Sequence, residues 1–85
     1  MSINRTTNAS RHNKRPLALV EGKFLGQPKN FVWVWRYRGG QSDGWHRCEV
    51  IRVSAVLVEL WDEAMFQWFC FNPTDMNVPD IRLNE

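Results

Sequence analysis

Residues 31–40, FVWVWRYRGG, place Phe, Trp, Trp and Tyr at every second position and end on a double glycine. A repeat of two belongs to an extended strand, whose successive side chains leave opposite faces; a helix would space its apolar residues by three and four. Phe31, Trp33, Trp35 and Tyr37 therefore share one face, and Val32, Val34, Arg36 and Arg38 the other. Such a strand cannot stand alone, so the chain must build a sheet around it. The expectation is that most of these rings form one wall of the core.

The rest of the chain reads in the same way. Residues 45–53, WHRCEVIRV, alternate Trp45, Arg47, Glu49, Ile51 and Val53 with His46, Cys48, Val50 and Arg52. Neither set is cleanly apolar, which points to a bulge that changes the register near residues 49–51. GGQSDG at 39–44 reads as a mobile loop by its composition. Ser54 and Ala55 form a tight link into VLVELW, DEA at 62–64 turns the chain, and MFQWFCF returns with Phe66, Trp68 and Cys70 on one face. Asn72-Pro73 ends that strand, because proline lacks the ladder donor. A single 3₁₀ turn at 74–76 and a last short strand at 81–83 complete the reading. LALVEGKFLG, broken by Gly22 and Gly26, reads either as one edge strand or as an extended segment crossing the core.

No segment carries a helical stripe of ten residues, so the fold class is all-β. Strands this short, joined by tight turns, curl into a small antiparallel, partly open barrel of four to six strands. At 85 residues the chain holds one domain. Residues 1–15 offer little to bury and read as a disordered basic arm, with 16–85 as the barrel. No apolar run approaches a membrane span and no apolar segment follows the basic N-terminal residues, so the reading is cytoplasmic, with no membrane partner. Cys48 and Cys70 have no CxxC motif and no His at metal-ligand spacing, so no metal or other cofactor is expected. A disulfide between adjacent strands is open to them, but buried free thiols are the preferred reading.

Charge is unevenly spread along the chain. Residues 1–52 hold ten basic against three acidic residues, +7, while residues 53–85 hold one against six, −5. Either the surface has a basic and an acidic side that can steer a charged partner, or the strands interleave the two halves and even the charge out.

The order of features is familiar: a Trp opening WHRCEVI, a tight hairpin, AVLVELWD, a turn, an aromatic return strand, and an Asp-containing turn before PDIRL. It resembles the SH3/Tudor-like small barrels over residues 31–84, and more narrowly the short barrel proteins of bacteriophages. That resemblance implies a protein that inhibits or recruits host machinery.

Three kinds of site compete. An aromatic cage for a cation could draw on Trp33, Trp35, Tyr37, Trp45, Trp61 and Asp62. As a protein-binding surface, the chain would rely on Trp45 and Trp61, exposed beside loops, with Arg36, Arg38 and Arg47, because exposed Trp beside Arg is the composition of interface hot spots. A host protein is the preferred partner, and an edge strand leaves homodimer formation open. The alternative partner is DNA or RNA, held by Arg5, Arg11, Lys14, Arg15 and Arg52 together with the sheet arginines; Arg36 and Arg38, however, lie opposite the aromatic face, which separates stacking from phosphate contact. Catalysis has only Cys48 and His46 on one strand face, with Asp43 placed to orient the imidazole, and no pocket to enclose a substrate.

Overall fold

The computed structural model describes residues 14–84, and every regular element among them is a strand. Seven strands follow in chain order: β1 (Leu19–Val20), β2 (Lys23–Phe24), β3 (Phe31–Arg38), β4 (Gln41–Val53), β5 (Val58–Asp62), β6 (Gln67–Phe71) and β7 (Ile81–Leu83). Five of them form an antiparallel sheet in the order β6-β5-β4-β3-β7, and β1 and β2 form a separate hairpin. The all-β expectation holds, and among the described residues the strands lie in two antiparallel sheets with no hydrogen-bonded ladder closing a barrel. Seven strands rather than four to six appear because LALVEGKFLG is a hairpin, not a single strand. Its turn is Glu21-Gly22, whose φ values of 52° and 74° are those of the tight turn that matches strand twist.

Gly39 and Gly40 act in the same way. With φ of 58° and 84° they close β3 onto β4 as a two-residue turn, so Arg38 pairs directly with Gln41. The expected six-residue loop is thus two residues long, and QSDG belongs to β4. The surplus residue is absorbed by a register shift opposite Arg36 and Tyr37. A second shift falls between Val50 and Arg52, where the mixed faces of WHRCEVIRV place it. The stretch expected as a 3₁₀ turn is a β-turn, closed by the Asp75 N–H donating to the Asn72 carbonyl at 2.9 Å.

The core lies on the face that the sequence reading gave to the outside. Val32 and Val34 of β3 are buried with Cys48 and Val50 of β4, Val58 and Leu60 of β5 and Ile81 of β7. Ala18 and Phe24 close over them from the N-terminal hairpin, where Phe24 meets Phe71 edge-on at 6.0 Å. The inner face is tightly packed beneath the hairpin: a Cβ at Gly26 would stand 2.6 Å from two carbons of the Phe24 ring.

Candidate interaction face

Strand register assigns the outer face row by row. Trp33 stands between Arg47 of β4 and Arg82 of β7; Phe31 leads through Glu49 and Trp61 to Trp68; Trp35 pairs with Trp45. The rings are held by one another and by cations. The Arg47 guanidinium lies 3.9 Å from the centre of the Phe31 ring, and that of Arg15 lies 5.8 Å from Trp33. Trp61 packs against Trp68 at 4.5 Å and Phe66 at 5.1 Å, and Trp35 meets Trp45 edge-on at 5.4 Å. Indole N–H groups donate to Asn84 from Trp33 and to Glu63 from Trp61, both at 2.8 Å. A shallow pocket of about 510 Å³ opens between Phe31, Arg47, Glu49, Trp61, Glu63 and Ala64.

These placements revise several expectations. Trp45 and Trp61 are half-buried rather than the exposed exceptions; the exposed rings are Tyr37, Phe66 and Trp68. Arg47 is exposed on the aromatic face. Arg36 points inward, where Asp62 and Gln67 accept its hydrogen bonds at 2.9 and 2.7 Å and its guanidinium covers Phe69 at 3.8 Å. It is committed to the interior and is not a surface anchor. Arg38 is exposed beside the hairpin turn and pairs with Asp43 at 3.2 Å. The cage does not assemble as drawn, because Asp62 is fully buried on the opposite face from the rings.

Of the residues considered for phosphate contact, Arg5 and Arg11 lie outside the described residues. Lys14 is exposed, Arg52 faces Glu59 at 3.9 Å, and the Arg15 guanidinium lies 5.8 Å from the Trp33 ring; the rest of the arm expected over residues 1–15 lies outside the described residues. The separation of arginines from rings holds only for Arg36 and Arg38, since Arg15, Arg47 and Arg82 flank Trp33 on its own face. Phe31, Phe66, Trp68 and Arg82 belong to this face and were not singled out from sequence. Alternation in QWFCF carries the signal for Trp68; nothing local marks Arg82, which joins the face only through its pairing with β3.

Behind the face lies a polar network at the open end of the core. His46 is 8% exposed, and its two ring nitrogens each stand 2.8 Å from a carboxylate oxygen, Nδ1 from Asp62 and Nε2 from Asp43. The imidazole is thus held between the two carboxyl groups. Burial alone would raise the Asp62 carboxyl, but hydrogen bonds from His46, Arg36 and the Met65 N–H outweigh it and hold the group below the usual carboxylate range. Arg38 and His46 likewise lower Asp43. Asp43 thus orients the imidazole as expected, but the Cys48 partner is unsuited to nucleophilic chemistry. Burial pushes its thiol up to about 12, and the thiolate is the reactive form. Both cysteines are free; Cys48 is buried, and Cys70 is exposed rather than buried. No cluster of three His, Cys, Asp or Glu side chains able to hold a metal is found among the described residues.

No protein-family model matches the chain, and comparison with curated proteins and with solved structures finds no match either.

Proposed function

We propose that the protein is a non-enzymatic binding module that docks on another protein through its outer sheet face, and that this partner is a host protein which it blocks or recruits. One observation carries the docking reading: Arg47 and the indole rings share one face of a hydrogen-bonded sheet, with the guanidinium on Phe31 at 3.9 Å and Trp61 packed among Phe66 and Trp68. Trp, Tyr and Arg are the residue types that dominate interface hot spots. Rings already held by neighbours also lose little freedom when a partner arrives. The host and the outcome, blocking or recruitment, rest on the likeness to phage barrels alone.

The charges of the face favour a protein over a nucleic acid. Arg47 is followed on its face by Glu49, Trp61 bonds Glu63, and Arg52 faces Glu59. A phosphate backbone would meet these carboxylates as repulsions, whereas a protein surface of mixed charge can pair with both signs. A second reading is supported by the row in which Trp33 stands between Arg47 and Arg82, because a stacking ring flanked by cations suits a single strand.

The test is affinity capture from host extract with the wild-type chain, Arg47→Glu, Trp61→Ala and Arg38→Ala. A protein retained by wild type and Arg38→Ala, and reduced roughly tenfold or more by the other two variants, is the expected result. Micromolar binding of a labelled mixed-sequence single strand that persists at physiological salt would instead establish the nucleic-acid reading.

A further inference from the structure

The recess on the outer face between Phe31 and Trp61 is walled by opposite charges that do not neutralise one another. Arg47, Glu49 and Glu63 stand with the two rings around its volume of about 510 Å³. Arg47 is the one basic residue among the described residues of that lining, and its guanidinium is seated on the Phe31 ring at 3.9 Å. No ion pair joins it to either glutamate, and none joins the glutamates to another basic side chain among the described residues. Two carboxylates against one cation leave the recess negative, on a face whose next strands carry Trp33 between Arg47 and Arg82.

Trp61 is fixed between the two carboxylates. Strand register sets Glu49 directly across from it, and its indole N–H donates to Glu63 at 2.8 Å. Phe66 and Trp68 pack on the ring at 5.1 and 4.5 Å, and neither lines the recess. Glu49 is half-buried and Glu63 exposed. Salt screens partly buried charges less than exposed ones, so a cation entering beside Glu49 is held more firmly than one on open surface.

We propose that this recess receives an arginine side chain of the docked partner, its guanidinium against Trp61 between Glu49 and Glu63. The inference rests on the docking reading above and names what the partner must bring to it. Charge complementarity selects the occupant. An acidic side chain or a phosphate would meet both carboxylates as repulsions, and an apolar side chain would bury Glu49 further without giving it a partner. Arginine suits the walls, because a planar guanidinium stacks on aromatic rings and its five N–H donors can serve two carboxylates at once. Arg47 cannot fill this place while it is seated on Phe31.

The test is an NMR titration of the full, isotope-labelled chain with N-acetylarginine methylamide and with its citrulline counterpart, which keeps the shape and lacks the charge. A saturable shift of the Trp61 indole N–H is expected with the arginine compound, at about millimolar affinity for a single side chain, and not with the citrulline compound. The double variant Glu49→Gln/Glu63→Gln should weaken binding about fivefold or more. Glutamine keeps the size and an acceptor for the indole, so the ring stays in place. Glu59→Gln, which removes a carboxylate facing Arg52 outside the recess, should leave binding unchanged. No saturable shift at Trp61, an equal response to citrulline, or a double variant that binds as wild type does would overturn the proposal. Capture from host extract separates this inference from the docking reading. A partner retained undiminished by the double variant would overturn the arginine assignment and leave docking standing, whereas a chain that binds the arginine compound at Trp61 and captures no protein would overturn docking and leave the guanidinium site.

Discussion

On the inner face of the sheet a cluster of aliphatic side chains is fully covered: Val32 and Val34 on β3 meet Val50 on β4 and Leu60 on β5. On the outer face of the same strands stand Trp33, Trp35, Trp45 and Trp61, each only half-buried, beside an exposed Arg47. The usual ranking of residues by size would place the rings inside, since each can remove so much area from water. Here the indole rings line the outer face, where they cover the surface without being withdrawn from it, while the inner face is closed by aliphatic side chains and by Phe24, Phe69 and Phe71. A small domain can therefore separate the residues that hold it together from those that contact others while keeping both on one set of strands.

The largest effect that would break this division lies where polar groups enter the inner face. Asp62 is fully buried and accepts from both Arg36 and His46. Asp62→Ala would leave Arg36 without its carboxylate and take from His46 one of its two carboxylate contacts, at a cost of about 3–5 kcal/mol in chemical denaturation. The same carboxyl sets an acid limit. Its folded value lies below that of the unfolded chain, so its contribution is complete above the unfolded value near about 3.9 and is lost as pH falls through the folded one. Asp43 works in the same direction. Stability should accordingly fall with pH in that acid range, and the Asp62→Ala variant should show a shallower slope.

Next in size is Gly26, at which the crowding of the interior can be tested without any charge. An added Cβ would meet the buried Phe24 ring at 2.6 Å, so Gly26→Ala forces the ring to shift and should cost about 1–3 kcal/mol. An unchanged denaturation midpoint would mean that the hairpin lid is looser than its packing indicates.

Much of this fold was legible in the sequence, and what was not has identifiable causes. The strand period of FVWVWRYR, the shift within WHRCEVIRV and the last strand at 81–83 all follow from local pattern, and all are found. Which face of β3 turns inward does not follow, because valine and tryptophan are both apolar and alternation defines two faces without orienting them. The orientation is set by what packs on each face, and Ala18 and Phe24, distant in sequence from most of the sheet, close over the valines. The β1–β2 hairpin escaped for a simpler reason: strands of two residues are too short to show a period. Asp62 read as a turn residue, yet it ends β5 on the face of Val58 and Leu60, and its partners Arg36 and His46 lie 26 and 16 residues away. Arg47 was legible as an exposed anchor, but its seat on Phe31 depends on the pairing of β3 with β4.

The separation of faces can be tested on one strand with two substitutions. Val34 is 0% exposed and Tyr37 is 61% exposed, three residues apart on β3 and on opposite faces. Urea denaturation of Val34→Ala and Tyr37→Ala compares the loss of two methyl groups with the loss of a whole phenol ring. A cost of about 2 kcal/mol for the valine and under about 0.5 kcal/mol for the tyrosine is the expected result. The reverse order, with the tyrosine the costlier loss, would put the aromatic row in the core and contradict the assignment of the outer face as a docking surface.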